Sequence, residues 1–129
     1  MPPLQIAERR VGDVTFLTLA GRLILEEGEN PLRAKIDGLL RERRLDVVVD
    51  LHDVTYLDSC GVGALVEKCV SLRKAGGDLM LLCPSERCRR TLEITGLLLR
   101  VFEVYDTEDA ALNRFAARHS GNVPSRQRV

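Results

Sequence analysis

Tryptophan is absent from this 129-residue chain, and aromatic residues make up only 4% of it. That leaves no stacking platforms of the kind that hold single-stranded nucleic acid. Net charge is missing as well: nineteen Lys and Arg balance nineteen Asp and Glu. No basic stripe is interleaved with aromatics, so neither a nucleic acid nor an anionic membrane surface is expected as a partner. The longest apolar runs fall far short of the roughly 18 residues a spanning helix needs, so no membrane insertion is expected. The opening M-P-P-L-Q-I-A-E-R-R reads as neither a signal peptide nor an acylation site, and cytoplasmic residence is the expectation. Cysteine is sparse. Cys60, Cys69, Cys83 and Cys88 form no C-x-x-C and have no histidine at ligand spacing. This is neither a zinc pattern nor a disulfide framework. Reduced thiols are expected, with Cys69 buried on a helix face, and no metal or other cofactor is implied.

What is present is an ordinary soluble composition, 45% apolar and 29% charged, in a chain long enough to bury one core without staples. A short, weak strand around Leu4 to Ala7 leads through R-R-V-G-D, a tight-turn composition, into V-T-F-L-T-L from Val14, a strand closed by Gly21. Asn30-Pro31 starts a helix: Asn accepts from free amides and Pro is tolerated at the first position. Leu32, Ile36, Leu39 and Leu40 follow at helical spacing. D-V-V-V-D-L from Asp46 is a strand buried on both faces. Val62, Leu65, Val66, Cys69 and Val70 give a second helix, stopped at Gly76-Gly77. D-L-M-L-L-C from Asp78 is another buried strand. A short helix through Leu92 ends at Gly96, Val101 to Tyr105 reads as an edge strand, and Thr107 caps a last helix along Leu112, Phe115 and Ala116. Strand and helix alternate from residue 46 onward, which implies right-handed crossovers and a parallel region, with a hairpin added at one side. The fold class is therefore α/β on a mixed sheet. Residues 1–117 form the domain, and 118–129, lacking periodicity, read as a flexible basic tail.

The segment V-T-Y-L-D-S-C-G-V-G-A-L-V, residues 54–66, sets an acid, a hydroxyl and a thiol where an extended run gives way to a helix. Up to four amides lack intrahelical partners there, and Asp58 or Ser59 is an equally good cap. Gly61 and Gly63 remove side chains from the first turn, so another surface or an anion can approach the backbone. Two accounts fit: a structural cap with packing glycines, or a Ser59 whose phosphate would sit among free amides at the positive end of a helix dipole.

D-V-V-V-D-L-x-x-V-T-Y-L-D-S-C-G-V-G-A-L resembles the signature of the STAS domain, found in bacterial anti-sigma factor antagonists and in the cytoplasmic tails of sulphate transporters. Gly21-Arg22-Leu23 matches the family's G-x-L, Gly76-Gly77-Asp78 its G-G-x-L, and T-L-E-I-T-G-L-L from Thr91 its late-helix segment. The resemblance covers about residues 4 to 116. It implies a mixed β-sheet of four to five strands with about four helices packed mainly on one face. It implies binding rather than catalysis: the antagonists dock on a serine-kinase anti-sigma factor, which phosphorylates the serine matching Ser59. A phosphoserine phosphatase would be the further partner. Asp58, Ser59, Cys60 and Gly61 form the implied contact patch, with Glu26 and Glu27 in the facing loop. One departure stands out. The family usually has an acid after G-x-L, and this chain has Ile24.

Other constellations are weaker. Cys83 and Arg89 fit the C-x5-R spacing of cysteine phosphatases, yet the loop carries Pro and Glu-Arg in place of glycines. D-S-C-G-V-G is not the G-x-S-x-G of a nucleophile elbow, and His52, on an expected surface loop, and His119, in the expected tail, are the only histidines. Beside a helix N-terminus Cys60 is expected to be a small, partly buried filler. A STAS adaptor of a transporter or signalling complex that is never phosphorylated is the alternative that Ile24 favours.

Overall fold

The computed structural model describes residues 4–24, 31–82, 85–94 and 102–119. Among them the elements run β1 (Gln5–Val11), β2 (Val14–Leu23), α1 (Pro31–Arg41), β3 (Asp46–Leu57), α2 (Ser59–Lys74), β4 (Asp78–Leu82), α3 (Glu86–Ile94), β5 (Glu103–Tyr105) and α4 (Glu108–His119). The strands form one sheet in the order β1-β2-β3-β4-β5, antiparallel between β1 and β2 and parallel throughout the rest. The hairpin turns on Gly12 with φ +60, the conformation glycine adopts most easily at the first central residue of a two-residue turn.

Alternation along the strands builds two cores. Leu17, Leu19 and Leu23 of β2, Val47, Val49 and Leu51 of β3, and Leu79 and Leu81 of β4 point to one face, where α1, α2 and α3 cover them with Leu32, Ile36, Leu65, Leu72, Cys88 and Leu92. Val14, Phe16, Val48, Met80 and Leu82 point the other way and pack with Ala111 and Phe115 of α4, with Val11, Tyr105 and Leu112 at the margin. Three helices on one face and one on the other is the mixed-sheet arrangement expected. β3 and β4 are buried on both faces because helices lie over both.

Several boundaries differ from the sequence reading. β2 continues through Gly21 to Leu23. β3 is twelve residues long, so His52 to Leu57 are strand and not a crossing loop, although His52 is exposed as expected. Here the register slips twice: Ala20 faces Asp53 where Thr18 faces Asp50, and Arg22 faces Tyr56 where Gly21 faces Val54. Each slip inserts one extra residue in β3, a bulge that bends the strand and resets its alternation. Val54 and Leu57 thereby still reach the three-helix core. Arg118 and His119 belong to α4 and not to a tail, and Arg118 Nη1 donates to Asp78 at 2.8 Å. Ala116 is exposed, while Arg114 is buried beside Glu103 at 2.8 Å.

Both ends of α2 are pinned. Lys74 gives way to Ala75 and then Gly76 at φ +103. Gly77 N–H donates to Leu72 O at 2.9 Å and Gly76 N–H to Arg73 O at 3.1 Å, a Schellman closure. A Cβ on Gly77 would lie 2.0 Å from Leu45 O.

Candidate functional site

The bulged end of β3 delivers the chain to α2. Asp58 is the cap: its φ of −105° and ψ of 179° are extended, and its Oδ1 accepts from Gly61 N–H at 2.8 Å. Its own N–H donates to Leu23 O at 3.5 Å. Ser59 is thus the first helical residue and is not needed as the cap. It is exposed, as is Cys60, and the Ser59 and Cys60 amides have no hydrogen-bond partner among the described residues. Two free donors at the positive end of a sixteen-residue helix, beside an exposed hydroxyl, can receive an anion.

The neighbouring residues are rigid by construction. Gly61 is buried, and a Cβ there would lie 2.2 Å from Leu23 O and 2.9 Å from a Leu57 methyl. Gly61, expected in the contact patch, occupies a buried packing position. It is glycine because the helix packs directly on the end of β2. Gly63 is exposed with open space around it. Cys60 is also corrected: it is an exposed thiol and not a partly buried filler. Among the described residues β4 pairs with β3 as far as Asp50, and no strand lies along that edge of residues 51–57. The start of α3 covers it: Ser85 Oγ donates to Val54 O at 3.4 Å and Arg87 Nη1 to Thr55 O at 3.3 Å.

Glu26 and Glu27 lie outside the described residues. Ile24 is half-buried. Of the phosphatase pair, Cys83 lies outside the described residues, and Arg89 on α3 stands 3.8 Å from Asp106. Cys69 and Cys88 are buried, and burial pushes the Cys69 thiol up to about 11 and raises that of Cys88. Neither is a nucleophile at neutral pH. Among the described residues no group of three His, Cys, Asp or Glu is arranged to hold a metal ion, and no helix is long and apolar enough to cross a membrane.

Sequence reasoning missed two neighbours. Tyr56 is 45% exposed, and the Arg22 guanidinium stands 6.0 Å from the centre of its ring. The signal was available only through the register, which sets Arg22 opposite Tyr56.

The STAS domain family model matches residues 5–111. A Thermotoga neapolitana protein named as an anti-sigma factor antagonist homolog is 31% identical over 118 residues, 92% of this chain and 100% of that protein. The anti-sigma-B factor antagonist of Bacillus subtilis is 43% identical over 58 residues, 45% of this chain and 53% of that protein. Among solved structures, an anti-sigma factor antagonist from Thermotoga maritima aligns with a TM-score of 0.78 at 27% identity, covering 86% of this chain and 94% of that one. A sulfate transporter family protein from Wolinella succinogenes shares the fold, with a TM-score of 0.68 at 22% identity over 85% of this chain and 90% of that one.

Proposed function

The chain belongs to the STAS-domain family, and from that premise we propose that it is an anti-sigma factor antagonist that docks on a serine-kinase anti-sigma factor and lets go when the kinase phosphorylates Ser59. The observation that carries this reading is the division of labour at the start of α2. Asp58 caps the helix, which leaves Ser59 exposed with free amides beside it. A phosphate added there carries a charge of about −2, and the helix end tolerates it without unfolding. At the docking surface the same charge repels acids and must be desolvated. A coupling of about 1–3 kcal/mol would change affinity about 5–150-fold. The chain performs no chemistry of its own. The kinase supplies the phosphoryl group, and a phosphoserine phosphatase resets the switch. Asp58, Ser59 and Cys60, with Glu26 and Glu27, make the contact patch. The names of the relatives support the antagonist role.

The test uses each serine-kinase anti-sigma factor encoded in the source genome, purified and mixed with the chain and ATP. One kinase should add a single phosphate, seen by intact mass, and Ser59→Ala should abolish it. No mass gain with any kinase, or an equal gain in Ser59→Ala, defeats the switch. A second reading, a constitutive adaptor of a transporter or signalling complex, is favoured by Ile24 standing where the resemblance has an acid. Under it Ser59→Asp would bind the partner as tightly as the wild type.

A further inference from the structure

We propose that Arg22 and Tyr56 are the specificity-determining anchor of the docking surface, and that the partner presents a carboxylate to Arg22 with an apolar group laid against the Tyr56 ring. This deepens the reading of the chain as an antagonist of a kinase-type anti-sigma factor and rests on it. The two side chains face each other across β2 and β3, past the second bulge. Tyr56 comes three residues before Ser59, so their Cα atoms are at most about 10 Å apart. Their strand neighbours Leu23 and Leu57 point the opposite way and are fully packed in the three-helix core, so the pair stands on a rigid base. It also stands on the half of its face that α4 leaves open, since α4 packs on Val14, Phe16, Val48, Met80 and Leu82.

Tyr56 and Val70 are the exposed large apolar side chains among the described residues, and Tyr56 is the more exposed. A tyrosine and an arginine held together on strands are the residue types in which interface binding energy concentrates, at low entropic cost. Charge says what they face. Arg9, Arg33, Arg73, Arg114 and Arg118 each contact a carboxylate. Arg22, like Arg41, Arg43, Arg44 and Arg87, has no ion-pair partner among the described residues, and of these five Arg22 is the one that lies over an aromatic ring. Asp53, which stands opposite Ala20 two residues before Arg22 on β2, makes no ion pair with it. A cation left unpaired over an aromatic ring is complementary to an acidic group on a protein.

The experiment measures calorimetric affinity for the same panel of serine-kinase anti-sigma factors. For a kinase that binds the wild type, Tyr56→Ala should weaken binding about tenfold and Arg22→Glu about thirtyfold. Arg10→Ala, at the other end of the sheet, should bind as the wild type does. Raising NaCl from about 50 to about 300 mM should weaken the wild type more than Arg22→Gln. Circular dichroism checks folding, and Tyr56→Thr and Arg22→Gln replace any first variant that melts early. If Tyr56 and Arg22 variants all bind within about twofold of the wild type while Ser59→Asp is weakened, the anchor is overturned and the antagonist reading stands. If no kinase binds the wild type, both fall.

Discussion

Where the parallel strands begin, charge is paired and closed in. Where they finish, it is left facing outward. At the starting end Asp78 is buried, and its carboxylate takes Arg73 Nε and Arg118 Nη1, each at 2.8 Å, together with Leu79 N–H at 2.8 Å. Next to it Arg114 Nε donates to Glu103 Oε1 at 2.8 Å, a less complete match in which both Arg114 Nη atoms are buried without a hydrogen-bond partner among the described residues. At the finishing end Ser59, Cys60 and Tyr56 are exposed, and Arg22 has no ion-pair partner among the described residues. The difference teaches which polar groups hold the fold and which are free for another molecule. A buried charge must be matched inside the protein, because leaving it unmatched costs several kcal/mol. An exposed one has no such obligation.

The sharpest way to break the comparison is at Gly61, the one part of the open end that is closed. Gly61→Ala sets a methyl against a backbone carbonyl that cannot swing aside, and stability should fall by about 3 kcal/mol, read from the urea midpoint. A change under about 0.5 kcal/mol would mean that α2 is not seated on β2. At the closed end, Asp78→Ala strands two guanidinium groups that are only partly exposed. It should cost about 2 kcal/mol and leave partner affinity unchanged once folding is matched. Equal losses of stability for Asp78→Ala and Ser59→Ala would erase the distinction between the ends.

Cys69 gives a subtler test of closure through pH. Its folded pKa is raised above the value of the exposed thiol, so the folded state holds the proton more tightly. Its contribution is fully present below about pH 9 and is lost as pH climbs toward 11, on the order of 2 kcal/mol. Cys69→Ala should flatten that part of a stability-against-pH profile, and an unchanged slope refutes the assignment. Last, Asp58→Ala should cost about 1 kcal/mol by removing the cap, while Ser59→Ala should stay within about 0.5 kcal/mol.

The central part of the fold could be read from residues alone. V-V-V and L-M-L-L announce strands buried on both sides, and Leu32, Ile36 and Leu39 announce α1. The reading failed where alternation failed. Across His52 to Leu57 the core residues come at intervals of three, which looks like a loop until the two bulges are seen. Arg118 looked like a tail residue because its partner, Asp78, lies on a strand reached only in three dimensions. At the site, D-S-C-G named the residues in order but not their jobs. That Asp58 caps, Ser59 is spare and Gly61 is a packing residue follows from the approach of Leu23, which is remote in sequence.

Gly61 and Gly77 press opposite ends of α2 against the carbonyls of Leu23 and Leu45. A helix clamped this way has a set number of residues, as a beam cut to fit between two walls has a set length. One inserted residue would turn everything beyond it by about 100° and swing Leu65, Cys69 and Leu72 out of the core. Divergence among such chains should therefore accumulate as substitutions on the outer side of α2 and as length changes in the loops around it, while the count from Ser59 to Lys74 stays constant.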